Sequence, residues 1–237
     1  MESSTQRRIQ IVLLAALALA ALRLVYVFYE RSTGAGQSSS KPQAPPLDAD
    51  YYVVPKKLHD YDLKSLRRDL VGRTVWVREG YRFSFYPYDR RAQRADFAHE
   101  AGTLGPIERL AITGVVLDRS PQAGQQQIMA VFDKDGRSHA FPVGAVRGNQ
   151  YEIAADEILF IEDPHELYRH WTPDVWQAVA RHEVKPGMNE IQAAFAVGMG
   201  VPEAQHDSSE KTVHYPNGGQ PLTVTYRDGR AQQISRP

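Results

Sequence analysis

The chain of 237 residues contains no cysteine. That absence removes disulfides, thiolate metal sites, cysteine nucleophiles and lipid attachment through cysteine. Net charge is absent as well, because 28 Lys+Arg face 28 Asp+Glu. A protein built to clamp nucleic acid normally carries a clear basic excess, so no nucleic-acid partner is expected. No Gly-x-Ser-x-Gly elbow, no Gly-x-Gly-x-x-Gly loop and no Gly-Lys-Ser/Thr loop occurs, which leaves the common hydrolase, dinucleotide and phosphate motifs without support. Internal repeats and heptads are missing too.

Two partial motifs fail on spacing. "HELYRH", His165 to His170, has one residue more than the His-Glu-x-x-His zinc signature. On a helix a five-residue step turns about 140°, so the imidazoles diverge where a four-residue step would converge. "DKDG", Asp133 to Gly136, opens like a calcium loop but lacks the later ligands and closing Glu, and a hairpin turn accounts for it. The eight histidines are scattered, and none is paired in sequence with a nucleophile. The sequence therefore predicts no catalytic residue, no metal, no cofactor and no enzyme.

What is present begins with a greasy leader. Residues 1–8 carry Arg7 and Arg8, and residues 9–29 form an apolar run broken by Gln10 and Arg23. A helix of that length rises about 30 Å, the thickness of a bilayer core. Arg23 lies near the far end, where its stem can snorkel, and Tyr26, Phe28 and Tyr29 can form an interfacial belt. The run predicts a transmembrane helix or signal anchor, with the lipid bilayer as a partner and the bulk of the chain exported. "ALA" at Ala18 to Ala20 offers the alternative of a cleaved signal peptide and release into the periplasm. Residues 30–57, rich in Ser, Gly and Pro in their first two thirds, read as a flexible linker.

Beyond the linker the chain has enough apolar residues, 42%, for a globular fold. Leu63, Leu66 and Leu70 recur at helical spacing behind Asp62, a candidate N-cap. The period then switches to about five or six strand-like runs bounded by turn signals, among them Asp135-Gly136. Residues 58–162 are thus expected to form a small antiparallel β-barrel or roll with a leading helix. Within it, Tyr81, Phe83 and Phe85 alternate with Arg82, Ser84 and Tyr86, so three aromatics share one strand face. That face is either core or a surface for a glycan, a small molecule or a partner protein.

Residues 163–237 follow a different plan. Asp163-Pro164 and Thr172-Pro173 each offer an N-cap followed by proline. Pro186-Gly187 ends one helix, Asn189 can cap the next, and strand-like runs follow around Asn217-Gly218-Gly219 and Asp228-Gly229. Two helices and three strands in that order predict a two-layer ααβββ unit, and the whole chain is read as α+β. "VKPGMNEIQAAFAVGMGVP" and "TVHYPNGGQPLTVTYRDGRAQQI" resemble the SmpA/OmlA (BamE-like) domain of bacterial envelope proteins. The residues that carry the resemblance are Gly187, Met188, Asn189, Gln192, Gly198, Pro202, Tyr215, Asp228 and Gly229. It implies a role in scaffolding outer-membrane protein assembly. Three departures qualify it: Asn189 stands where a hydroxyl cap is usual, the Gly-to-Pro exit is two residues longer, and the lipobox cysteine is missing. Together these readings predict a non-enzymatic, inner-membrane-anchored envelope scaffold with an envelope protein partner. The alternative is a periplasmic module that binds cell-wall glycan or a small molecule through Tyr81, Phe83 and Phe85.

Overall fold

The computed structural model describes residues 18–29, 48–119, 121, 125–203 and 210–236. The chain divides into Met1–Leu47 and a compact unit, Asp48–Pro237. In the first, residues 18–29 are helical, with Leu19, Leu22, Leu24 and Phe28 exposed. Among the described residues no helix is long and apolar enough to cross a membrane, which corrects the transmembrane helix expected over 9–29. Positions 9–17 of that run, and 30–47 of the predicted linker, lie outside the described residues.

The compact unit is mostly β. A 3-10 turn, Ala49–Tyr52, precedes α1 (Leu63–Leu70). Then come β1 (Thr74–Val77), β2 (Phe83–Asp89), β3 (Arg94–Ala95), β4 (Gly102–Leu104), β5 (Arg109–Arg119), β6 (Gln126–Lys134), β7 (Arg137–Arg147) and β8 (Gln150–Ile153). Short elements follow: α2 (Ala155–Ile158), β9 (Leu159–Phe160) and α3 (Pro164–Leu167). Last are α4 (Pro173–Ala180), α5 (Glu190–Val197), β10 (Val201–Pro202), β11 (Glu210–Tyr215), β12 (Leu222–Arg227) and β13 (Arg230–Ser235). Two antiparallel sheets result. Nine strands form the larger, in order β3-β2-β7-β6-β5-β1-β9 with β4 and β8 alongside, and the smaller runs β10-β11-β12-β13. The expectation of a small barrel followed by an ααβββ domain is therefore corrected. The larger sheet runs through nine strands, Val201–Pro202 adds a fourth strand to the smaller one, and each of the five labelled helices has eight residues or fewer.

Local chemistry explains the turns. Asp135 (φ 54°) and Gly136 (φ 72°) join β6 to β7, with Lys134 opposite Arg137, the left-handed pair that a tight hairpin needs. Asp62 accepts the Ser65 N–H at 2.7 Å and Ser65 returns to Asp62, a capping box that starts α1. On β6 every residue from Ile128 to Phe132 is buried, so both faces of this strand are covered. Ile128, Ala130 and Phe132 meet α1 and β5 in one core. Met129 and Val131 meet Ala95, Tyr86, Tyr88 and Phe97 on the opposite face. A second large core gathers Trp171, Phe195, Tyr215, Leu222 and Tyr226 between the short helices and the smaller sheet.

β1 and β9 serve both large cores. Val75, Val77 and Leu159 point into the first, while Trp76 and Phe160 point into the second, a direct use of the two-residue side-chain period. Phe132 is the aromatic hub of the first core, within 6 Å of Phe85, Phe141 and His139 by ring centroid. Phe132→Ala is expected to cost about 3–5 kcal/mol, measured as a lowered midpoint in urea with an unchanged slope.

Candidate functional site

The N-terminal strap of the compact unit carries its most demanding side chain. Asp48 caps the 3-10 turn and Asp50 lies within it, with the Asp48 side chain accepting the Asp50 N–H. The Asp50 side chain is fully buried. A carboxylate taken out of water must be hydrogen-bonded, and three N–H groups converge on this one. Trp171 Nε1 donates to Oδ1 at 2.6 Å, His170 Nε2 to the same oxygen at 2.5 Å, and Asn189 Nδ2 to Oδ2 at 2.6 Å. Beside it, Asp48 pairs with Arg230 at 2.6 Å and accepts a further bond from Asn189 Nδ2 at 3.2 Å. Trp171 is wedged among the rings of Tyr168, Trp176 and Phe195 at centroid distances of 4.6–4.9 Å, which fixes its indole N–H toward Asp50.

From there the strap runs without regular structure to Asp62. It is pinned repeatedly: Val53 packs on the second core and Leu58 on the first. Lys56 gives both its backbone N–H and its ammonium to Glu162, at 3.0 and 2.8 Å. These bonds hold the Glu162 carboxyl below the usual range. Between the pins, large side chains turn outward: Tyr51, Tyr52 (69% exposed), Val54 (84%) and Tyr61 (83%).

The aromatics of β2 and the residues before it divide. Tyr81 and Phe83 stack at 5.6 Å with planes 9° apart. Tyr81 is exposed and Phe83 partly buried, with Phe83 reaching Phe141 at 6.2 Å. Phe85 is 5% exposed and lies in the first core against Phe132 and His139, with Lys134 Nζ over its ring at 5.2 Å. The structure thus brings Tyr81 and Phe83 together and assigns Phe85 to packing.

The motif residues of the last quarter build the smaller sheet. Gly187 (φ 86°) donates to the Ala231 carbonyl and Met188 O accepts the Ala231 N–H, both at 2.8 Å, so this turn clips the outer edge of β13. Met188 is buried in the second core. Asn189 and Gln192 form the capping box of α5: Asn189 Oδ1 accepts the Gln192 N–H at 2.8 Å and Gln192 returns to the Asn189 N–H. The amide has a donor and an acceptor on separate atoms, so Asn189 caps the helix and holds Asp50 at once. Tyr215 and Tyr226 share a buried hydroxyl bond of 2.7 Å. Burial pushes the Tyr215 hydroxyl up to about 12 and raises Tyr226 further. Asp228 (φ 51°) and Gly229 (φ 73°) form the β12–β13 turn.

No sequence motif points to Asp50, Trp171 or Arg230, and His170 stands out in the sequence only through the failed zinc spacing of His165 to His170. A local signal exists in "DADYYVV", Asp48 to Val54, where acids and β-formers break a Pro- and Ser-rich stretch. Comparison with protein-family models, with curated proteins and with solved structures finds no match for this chain.

Asp50→Asn turns an N–H toward the converging donors and is expected to cost about 2–4 kcal/mol, read from urea unfolding followed by tryptophan fluorescence. Acid gives a second check. Burial alone would raise the Asp48 carboxyl, but the Asn189 amide, the Asp50 N–H and the Arg230 guanidinium outweigh it and hold it below its ordinary value. Its stabilisation is complete above the unfolded value near ~4 and is lost as pH falls through the lower folded value. Arg230→Ala should therefore flatten the acid limb of stability against pH and leave neutral-pH cooperativity intact.

Proposed function

We propose that this protein is a non-enzymatic scaffold of the cell envelope that acts by protein–protein contact. The observation that carries this reading is the pinned strap with its outward row of Tyr51, Tyr52, Val54 and Tyr61. Exposed aromatics on a backbone already held by buried bonds lose little freedom on association, and Tyr is favoured at interfaces. The apolar leader of residues 9–29 and the Ser-, Gly- and Pro-rich segment after it support an exported module. The likeness of residues 184–202 and 212–234 to the SmpA/OmlA pattern supports an envelope partner engaged in outer-membrane protein assembly or maintenance.

A photo-crosslinking residue at Tyr52 tests this in cells. A discrete adduct is expected in the envelope fraction, absent when the probe stands at Tyr151 on β8 and lost to background in the Tyr51→Ala, Val54→Ala background. Equal labelling from both positions, or recovery of the protein in the cytosol, removes the reading.

A further inference from the structure

The residues entering β2 face two surroundings. Tyr81 and Phe83 stack together, while Arg82 lines a cleft of about 430 Å³. The apolar part of that cleft comes from Ile107 and from Trp176, Val179 and Ala180. The last three recur at the spacing that places them on one face of α4. The volume falls in the range of sites that hold small organic molecules.

The polar groups around this apolar surface are unequal. Glu108 is already engaged, with Oε1 on Lys134 Nζ at 2.5 Å and Oε2 accepting the Gly105 N–H at 3.1 Å. The imidazoles of His165 and His182 are anchored through Nδ1, to Asp163 at 2.9 Å and to the Ala196 carbonyl at 3.0 Å. Arg82 differs. Among the described residues its side chain bonds to Asn217 Oδ1 alone, at 3.3 Å, and to no carboxylate.

The guanidinium is nevertheless placed, in a slot formed by three glycines from separate parts of the chain. A Cβ at Gly218 would lie 2.9 Å from Arg82 Nη1, one at Gly198 3.6 Å from Nε, and one at Gly105 3.9 Å from Nη1. At Gly218 a Cβ would crowd the guanidinium, while the other two distances are ordinary van der Waals contact. Its planar fork matches a carboxylate, and one uncompensated cation matches a single negative charge. Trp176, stacked on His165 at 4.1 Å, adds an aromatic side chain to the wall of the same cleft.

We propose that the cleft binds a small organic monocarboxylate, with its carboxylate on Arg82 and an aromatic or branched apolar body over Trp176 and Ile107. The proposal rests on the cleft and stands apart from the strap and its protein partner.

A chemical-shift titration of the full-length, nitrogen-15-labelled protein with 1-naphthylacetate, and with the uncharged 1-naphthylacetamide, tests it. The acid should give saturable shifts of the Gly105, Gly198 and Gly218 amides and the Trp176 indole N–H, and bind roughly tenfold tighter than the amide. Arg82→Gln should bring the acid down to the amide's affinity and leave the amide unchanged, whereas Trp176→Ala should weaken both. Equal affinity of acid and amide, or shifts that leave those four groups unmoved, overturns the proposal. The acid–amide comparison uses the unmutated chain, so it decides the matter even where a variant fails to fold.

Discussion

The carboxylate of Asp50 is the constraint on which the strap and the helical layer both depend. An apolar residue at this position could pack against many surfaces, but a buried carboxylate can settle only where donors already point. Those donors come from two places: the loop before α4, through His170 and Trp171, and the first turn of α5, through Asn189. The strap therefore closes a gap between the starts of two short helices. Short helices are marginal by themselves, and here each is held at its N-terminus by a residue from a distant part of the chain.

The second organising device is sharing. Because successive residues of a strand point to opposite faces, β1 and β9 put Val75, Val77 and Leu159 into one large core and Trp76 and Phe160 into the other. Shearing the two cores apart would require breaking β1–β5 and β1–β9 pairing as well as separating side chains. The strap adds to this by contacting both cores through Val53 and Leu58. Arg82 belongs to the same junction, since it enters from the larger sheet and meets Asn217 from the turn between β11 and β12.

What could be read in the sequence was local. The caps at Asp62 and Asn189 and the turns at Asp135-Gly136 and Asp228-Gly229 depend on residues within four positions of one another, and each forms the geometry its chemistry demands. Asp50 was illegible for the opposite reason: its partners His170 and Asn189 lie 120 and 139 residues away. Val201–Pro202 was missed because two residues, one of them proline, carry no alternation to detect. The aromatic strand shows a subtler limit. Alternation placed Phe83 and Phe85 on one face, but Tyr86 and Tyr88 on the opposite face are also packed, against Phe97 and Met129, so period alone could not tell surface from core. The α+β reading failed for the same reason of scale, since sheet size is set by long-range pairing that no short window contains.

The clip at Gly187 and Met188 has a consequence for how any other chain can approach. An outermost strand normally offers a ladder of unpaired amides on which foreign strands can polymerise. Here the start of β13 is already occupied at Ala231, and at the far side of the same sheet β10 is two residues long and contains Pro202, which has no N–H to give. Each margin of the smaller sheet is thus interrupted as a template for strand addition, at Ala231 on one side and at Pro202 on the other. A visiting protein is steered toward side-chain recognition, and the fold is guarded against the runaway stacking that exposed β margins invite.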